Sequence, residues 1–389
     1  MAKQQRTDTE SWPRAEELFK QGDPAFVDEV RRVADAERLG KFAAKWYGDK
    51  RPVARQLLLE YLNRPLNAVR HEALVKRLFK PAEAAGDDEV MGRFLVMFDR
   101  SVRRVARAAR QYRAKQVKTR EAAKKLADKW KKEGWKRVTV QQVGRGFSVR
   151  STREEEVFQV PPDTTMWRPP KASWKKPQSL TDDKRRQLEE RCRLFSPRTR
   201  NYLRRRAWRY FRKLGQEHPE RYVPAVSAAL NVYEDADVAS GLALLDNWGL
   251  MHILFHESPA LVAKANGWKL APGHTLAELA PAPIYEELWK AAPRVLIGLL
   301  KDARCRPVRQ WAIFLIRRDH GEVLNTLTLE ELIDLAGTDD PDVVGLAAEL
   351  LRARPELDTL SVEEWLALLD RANLQAVDIL CELAVARLR

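Results

Sequence analysis

Two short stretches in the last third of the chain decide the expected fold: Leu327–Leu332 reads LTLEEL and Leu360–Trp365 reads LSVEEW. They match at an offset of 33 residues, and Val344 recurs at the same offset as Val377. Repeats of roughly 20–50 residues whose apolar positions follow helical spacing are typical of stacked helical hairpins. We therefore expect pairs of helices here, each burying one apolar face against the next pair.

A looser repeat of about 37 residues lies near the N-terminus. Both copies follow a Gly-Asp pair, at Gly48-Asp49 and at Gly86-Asp87, and such pairs favour turns. Helical spacing predicts helices over residues 25–34, 37–47, 52–62, 71–85 and 88–100. The matched apolar positions are Val53, Leu57, Leu58 and Tyr61 in the first copy and Val90, Phe94, Leu95 and Phe98 in the second.

Together with Leu300–Asp302, Pro307–Ala312 and Asp339–Val344, these repeats resemble the turn and second helix of HEAT repeats. The resemblance to HEAT/armadillo-like α-solenoids covers residues 23–100 and 196–389, about two-thirds of the chain, and it identifies a class of fold without a single activity. It implies an all-α fold, a HEAT-like α-solenoid of stacked antiparallel helix pairs. Such a stack typically serves as a scaffold or a binding surface.

The middle of the chain departs from helical spacing. Trp135–Val140 and Phe147–Arg150 alternate polar and apolar residues, with Gly144 and Gly146 between them, which predicts a small β-hairpin or a three-stranded insert. Glycines at a hairpin tip allow a positive φ. The expected division is N-terminal helical repeats at 1–118, a basic insert with the β-hairpin and a Pro/Trp-rich linker at 119–180, and C-terminal HEAT-like repeats at 181–389. Further helices are expected at 222–233, 237–255, 260–266, 284–301 and 307–318, with a connection at 267–283.

One predicted helix, Ser196–Gly215, is amphipathic in an unusual way. Ser196 suits the N-cap, Pro197 suits the first helical position, and Gly215 suits the residue that ends the helix. Apolar residues such as Leu203 and Phe211 form one face. The opposite face carries Arg198, Arg205, Arg209 and Arg212, and no acidic residue lies between Glu190 and Glu217.

The net charge of +15 is concentrated in one segment. Residues 1–99 contain 18 basic and 17 acidic side chains (net +1), residues 100–215 contain 36 and 11 (net +25), and residues 216–389 contain 16 and 27 (net −11). Charge segregated in this way is typical of proteins that meet nucleic acid and less often of those that meet an anionic membrane. We expect RNA or DNA as the partner of the central segment, a protein as the partner of the acidic C-terminal repeats, and no membrane.

The segment after Arg100 carries a further row of cations. Its apolar spacing predicts that the helix ending the N-terminal repeats continues as an amphipathic basic helix through Lys118, followed by a second basic helix ending near Gly134. Phosphate contacts would supply most of the affinity, with little reading of bases. The candidate nucleic-acid-binding residues are Arg100, Arg103, Arg104, Arg107, Arg110, Lys124, Lys125, Arg198, Arg204, Arg205, Trp208, Arg209 and Arg212.

Two alternatives stay open at this point. HEAT-like DNA glycosylases hold duplex on a basic concave face, and an enzyme of that kind would need a carboxylate there, for which Asp182 or Asp183 is the nearest candidate. A pure protein-binding scaffold is the other. The linker Pro161–Pro177 is either a spacer or, through Trp167 and Trp174, a platform on which exposed bases stack.

No catalytic motif stands out, so we expect a protein without enzymatic activity or cofactor. The sequence has neither a P-loop nor a GxSxG elbow. His252 and His256 share a helical face but lack the internal glutamate of HExxH, so packing is expected and a metal is not. Three separated cysteines, Cys192, Cys305 and Cys381, suggest a reducing compartment. With no signal-peptide pattern and no long apolar run, a cytoplasmic protein is expected.

Overall fold

A computed structural model describes residues 8–102, 105–159, 194–264, 267–371 and 374–387. Helices dominate these residues, and a small antiparallel sheet accompanies them. The chain divides into two compact units, a helical unit (1–102 and 163–389) and a basic unit (103–162). This division differs from the expected boundaries at residues 118 and 180, because the strand at 105–117 pairs along its whole length with the strand at 146–159.

The N-terminal helices of the helical unit agree closely with the sequence pattern. Asp35 and Asp87 cap two of them by accepting backbone N–H bonds, and Gly86 ends another in the left-handed region at φ 65°. The helices are α1 (Asp8–Gln21), α2 (Ala25–Arg32), α3 (Ala36–Gly48), α4 (Pro52–Asn63), α5 (Glu72–Ala85) and α6 (Asp88–Arg100).

The second part of the helical unit begins with the long basic helix and ends with the repeats. Its helices are α8 (Pro197–Glu217), α9 (Pro219–Leu230), α10 (Gly241–Asp246), α11 (Trp248–Phe255), α12 (Glu286–Lys290), α13 (Pro293–Asp302), α14 (Arg306–Asp319), α15 (Gly321–Asn325), α16 (Leu329–Ala336), α17 (Pro341–Arg352), α18 (Val362–Arg371) and α19 (Leu374–Arg387). Thr328 caps α16 through a reciprocal contact with Glu331.

Polar contacts join successive helix pairs at sequence separations close to the repeat lengths. In the N-terminal half, Arg55 of α4 forms a bidentate salt bridge with Asp87 (2.5 and 2.6 Å). In the C-terminal half, Lys301 pairs with Asp334 at 2.6 Å, 33 residues away. One cluster of buried apolar residues runs through the helical unit from Ala15 to Ala384.

The basic unit is a three-stranded antiparallel sheet with one helix. Its elements are β1 (Val105–Val117), α7 (Arg120–Lys132), β2 (Lys136–Val143) and β3 (Gly146–Gln159), with strand order β1-β3-β2. Ala123, Ala127 and Trp130 of α7 are buried in a separate small core with Val149 of β3. The predicted hairpin is confirmed, and Gly144 at its tip has φ 58°.

The expectation of a basic helix continuing from Arg100 to Lys118 is wrong. Helix α6 ends at Arg100, and residues 105–117 form β1. Alanine-rich spacing in this segment suits a helix, yet pairing with β3 from Val105↔Gln159 to Val117↔Phe147 decides the outcome. The third strand of the insert is therefore this segment, and residues 156–159 belong to β3.

Three further local expectations are wrong for tertiary reasons. The helix expected at 260–266 is a strand, β4 (Leu261–Lys264), paired with β5 (Gly267–Leu270). The single helix expected at 237–255 is divided, and Asn247 at the break donates to Asp237 O (2.8 Å) and Ala243 O (2.9 Å). Gly215 does not end α8: a Cβ there would lie 2.3 Å from a ring carbon of Tyr285, so glycine allows close packing.

Buried His71 makes stability depend on pH. Burial lowers the His71 pKa to about 3; Nε2 donates to Val33 O (3.0 Å), and Nδ1 accepts from Tyr61 Oη (2.7 Å). The unfolded chain takes up this proton near pH 6.5 and the folded chain only near 3, so the free energy of unfolding should fall as pH falls between these values.

Urea unfolding at pH 7, 6 and 5 tests this dependence. The substitution His71→Gln should reduce the change of unfolding free energy with pH by about 1 kcal/mol per pH unit. Equal slopes in the two proteins would contradict this assignment.

Within the described ranges, no helix is both long and apolar enough to cross a membrane.

Candidate nucleic-acid interface

Helix α8 buries the apolar face that its sequence predicts. Ser196 Oγ caps it by accepting from Thr199 N (3.3 Å), and Pro197 occupies the first turn. Leu203, Ala207 and Phe211 are buried. This packing fixes the rotation of the helix about its axis and so determines which arginines reach the surface.

Two predicted contact residues on α8 are instead part of the core. Arg204 is 1% exposed; its Nη1 donates to Asp246 O (3.1 Å), and its guanidinium lies 5.4 Å from the Trp248 ring centroid. Trp208 is 4% exposed and stacks on His252 with 4.8 Å between ring centroids. Both positions lie on the flank of α8 that packs against α11, so the expectation that they contact nucleic acid is wrong.

Arg100 is likewise engaged within the protein. It pairs with Asp237 (2.8 Å) and donates to Val232 O (2.8 Å), which joins the end of α6 to the segment after α9. These contacts give Arg100 a structural role, and its role in phosphate binding stays a prediction.

Four arginines of α8 and one tyrosine form an exposed row that we call the α8 stripe: Arg198, Tyr202, Arg205, Arg209 and Arg212. Their spacings of four, three, four and three residues place them on one side of the helix. None of the four arginines forms an ion pair with a residue that the structure describes. Arg205 Nε donates only to Asn201 O of its own helix (3.2 Å).

Tyr202 is the member of the stripe that sequence reasoning missed. Its side chain is 46% exposed, whereas Trp208, the aromatic residue of α8 that was expected to contact nucleic acid, is buried. Helical spacing could have indicated its exposure, because Tyr202 falls four residues after Arg198 and three before Arg205, on the basic face of the helix.

A groove of about 320 Å³ lies beside Tyr202, between α5 and α8. Phe79 and Leu203 form apolar parts of its wall, and Lys76 and Lys80 of α5 are exposed at the groove. The sequence did not indicate this groove, since its lysines are more than 100 positions away from α8.

The basic unit holds the other concentration of cations. Its 60 residues contain 18 basic and 6 acidic side chains, a net charge of +12. Lys124 and Lys125 are exposed on α7, as a phosphate-contacting role requires. Arg113 Nη1 instead pairs with Glu133 (3.1 Å), and its guanidinium lies 4.9 Å from the Trp130 ring centroid.

Several predicted site residues cannot be placed. Arg103 and Arg104 lie outside the described residues, and for Arg107 and Arg110 only the backbone of β1 is described. The linker residues Trp167 and Trp174, the carboxylates Asp182 and Asp183, and Cys192 also lie outside the described residues.

His252 and His256 contact each other directly, with 2.7 Å between their Nδ1 atoms. Burial lowers the His252 pKa to about 3, and burial also lowers the pKa of His256. Both rings are therefore neutral near pH 7, and one donates the shared hydrogen bond. In the described parts of the chain, no group of three or more His, Cys, Asp or Glu side chains is arranged to hold a metal ion.

The chain matches no family model, no curated protein and no solved structure.

Proposed function

We propose that this protein is a non-enzymatic nucleic-acid-binding scaffold that holds RNA or DNA mainly through phosphate contacts. The observation that carries the proposal is the α8 stripe, in which four exposed arginines make no ion pair with a described residue. Some surface arginines elsewhere in the chain do have such partners, as Arg294 does in Glu331 (3.1 Å) and Arg317 in Glu349 (2.6 Å). Unpaired guanidinium groups in a row suit the spaced charges of a phosphate backbone.

The basic unit supports the same function. A net charge of +12 in 60 residues exceeds what solubility requires, and Lys124 and Lys125 keep their ammonium groups at the surface. Such a unit attracts polyanions before any specific contact forms. We assign it phosphate contacts of its own, in addition to those of the α8 stripe.

The helical unit would act as the scaffold, in the HEAT-like α-solenoid arrangement that the repeats imply. Contacts between successive helix pairs support this part of the proposal, such as those of Arg55 with Asp87 and of Lys301 with Asp334. Nearest-neighbour contacts of this kind hold repeat proteins together.

We also propose that the acidic C-terminal repeats contact a protein partner. Of the nine large apolar or aromatic side chains that are exposed among the described residues, four lie in α18 and α19. Exposed apolar side chains beside carboxylates suit a protein surface better than a nucleic acid. Affinity capture with the full chain and with a chain lacking residues 362–387 tests this part. The four residues are Val362 and Leu366 of α18 and Leu374 and Val385 of α19.

A salt titration tests phosphate binding. For about six to eight phosphate contacts, log affinity should fall linearly with log salt with a slope of about −4 to −7, because each contact releases counterions. Fluorescence anisotropy of a labelled oligonucleotide, titrated at salt concentrations from about 50 to about 300 mM, measures the slope. A slope near zero, or no binding at the lowest salt, would remove nucleic acid from the proposed function.

A further inference from the structure

We infer that the groove between α5 and α8 holds an unpaired base, so that the nucleic acid this protein binds is single-stranded where it crosses α8. This inference rests on the proposed function and adds the class of ligand. It follows from three features of the groove: an exposed aromatic face, cations at its rim, and a volume suited to one base.

The aromatic face is held in place by neighbouring side chains. Arg206 Nη1 donates to Tyr202 Oη (3.3 Å). Arg206 is itself held by a bidentate salt bridge with Glu83 (2.8 and 2.5 Å). The hydrogen bond with Glu83 raises the pKa of Arg206. Tyr202 is therefore anchored at its hydroxyl while its ring stays 46% exposed, an arrangement that offers a ready surface for stacking.

The rim supplies positive charge on the α5 side. Lys76 and Lys80 are exposed, and neither forms an ion pair with a described residue. Both lysines line the groove, and Lys76 Nζ lies 5.3 Å from the Phe195 ring centroid. On α8 itself, Arg198 lies four residues before Tyr202 and Arg205 three residues after it. Cations of both α5 and α8 therefore lie near the tyrosine ring.

The residues that line the groove favour contact with the flat face of a base over hydrogen bonding to its edge. Tyr202 presents an exposed ring (46%), Phe79 and Leu203 line the groove while almost fully buried, and Thr199 adds one hydroxyl. Bases in a duplex are stacked on one another and expose their edges to a protein, so a duplex offers no base face to Tyr202. A volume of about 320 Å³ is at the lower end of small-ligand pockets and accommodates a single base. The occupant that satisfies walls and rim together is a nucleotide with its base unstacked.

Three probes of equal length separate this inference from phosphate binding alone: a single-stranded oligonucleotide, the same strand in a duplex, and a strand of abasic sites. Tyr202→Ala should weaken binding of the single strand about tenfold, the usual effect of losing one aromatic–base stack. It should leave the abasic strand and the duplex unchanged. Tyr202→Phe keeps the ring and should retain most of the affinity.

Phe314→Ala is the matched control, because Phe314 of α14 is a similarly exposed aromatic residue (42%) away from the groove. It should bind all three probes like the unaltered protein. Melting temperatures of the variants establish that each is folded.

The outcomes distinguish the two proposals. Equal affinity of Tyr202→Ala and the unaltered protein for the single strand would overturn the base-binding groove while leaving phosphate binding intact. Equal weakening on all three probes would also overturn it, since Tyr202 would then act without a base. Failure of the unaltered protein to bind any probe would overturn the proposed function itself.

Discussion

Reversing the charge of Arg205 and Arg209 together is expected to abolish most nucleic-acid binding while the protein stays folded. Both side chains are exposed, and neither forms an ion pair with a described residue. Substitution by glutamate changes the local charge by four units. At about 0.7 kcal/mol per unit, typical of surface charges, affinity should fall about 100-fold at low salt. Anisotropy titration with a labelled single strand measures this loss.

Two control variants accompany the double reversal. Lys264→Glu with Lys269→Glu changes the net charge equally, on exposed lysines of β4 and β5, and should lower affinity far less. Leu203→Ala leaves the charge intact but empties a buried site, which should cost about 2–5 kcal/mol of unfolding free energy.

The melting temperature decides how a negative result is understood. Exposed substitutions usually change stability by less than about 0.5 kcal/mol each, so the double reversal should melt near the unaltered protein. If this variant were unfolded, the two arginines would have a structural role. Wild-type affinity in a folded variant would place the nucleic-acid site elsewhere on the chain.

Replacing Asp99 by leucine is expected to cause the largest loss of stability, about 3–5 kcal/mol of unfolding free energy. Asp99 is fully buried at the end of α6. Its Oδ2 accepts from Tyr233 Oη (2.8 Å), Gly249 N (2.8 Å) and Leu250 N (3.3 Å). Leucine would leave these buried donors, two of them backbone N–H groups at the start of α11, without their acceptor.

Graded substitutions test the cause of that loss. Asp99→Asn keeps one acceptor oxygen and should cost clearly less than leucine. Asp302→Leu, on an exposed aspartate of α13, should change stability by no more than about 0.5 kcal/mol. Denaturant unfolding compares the three variants, and a loss below about 1 kcal/mol for Asp99→Leu would contradict the role given to this carboxylate.

Apolar spacing was sufficient to predict most helices. The bounds of α4, α6 and α14 agree within about two residues with those expected, because each carries a strong apolar stripe and a clear cap or proline at its start. The caps of Ser196 on α8 and the hairpin tip at Gly144 were also predictable, since both depend on neighbouring residues only.

Strand β1 was harder to predict, because its partner β3 comes only after α7 and β2 in the chain. Residues 105–117 have the composition of a helix, and only pairing with Phe147–Gln159 makes them a strand. Strands β4 and β5 are separated by only two residues, yet the pattern over 260–266 predicted a helix there.

The amino-acid sequence by itself determined that α8 is a helix with an apolar and a basic side, because both follow from spacing along one element. Only the tertiary structure decided which basic residues are available. Arg204 and Arg205 are neighbours in sequence, yet Arg204 is buried against Trp248 and Arg205 is exposed, because α11 covers one flank of the helix. Burial depends on what packs against each flank, and for α8 that packing comes from helices distant in the chain.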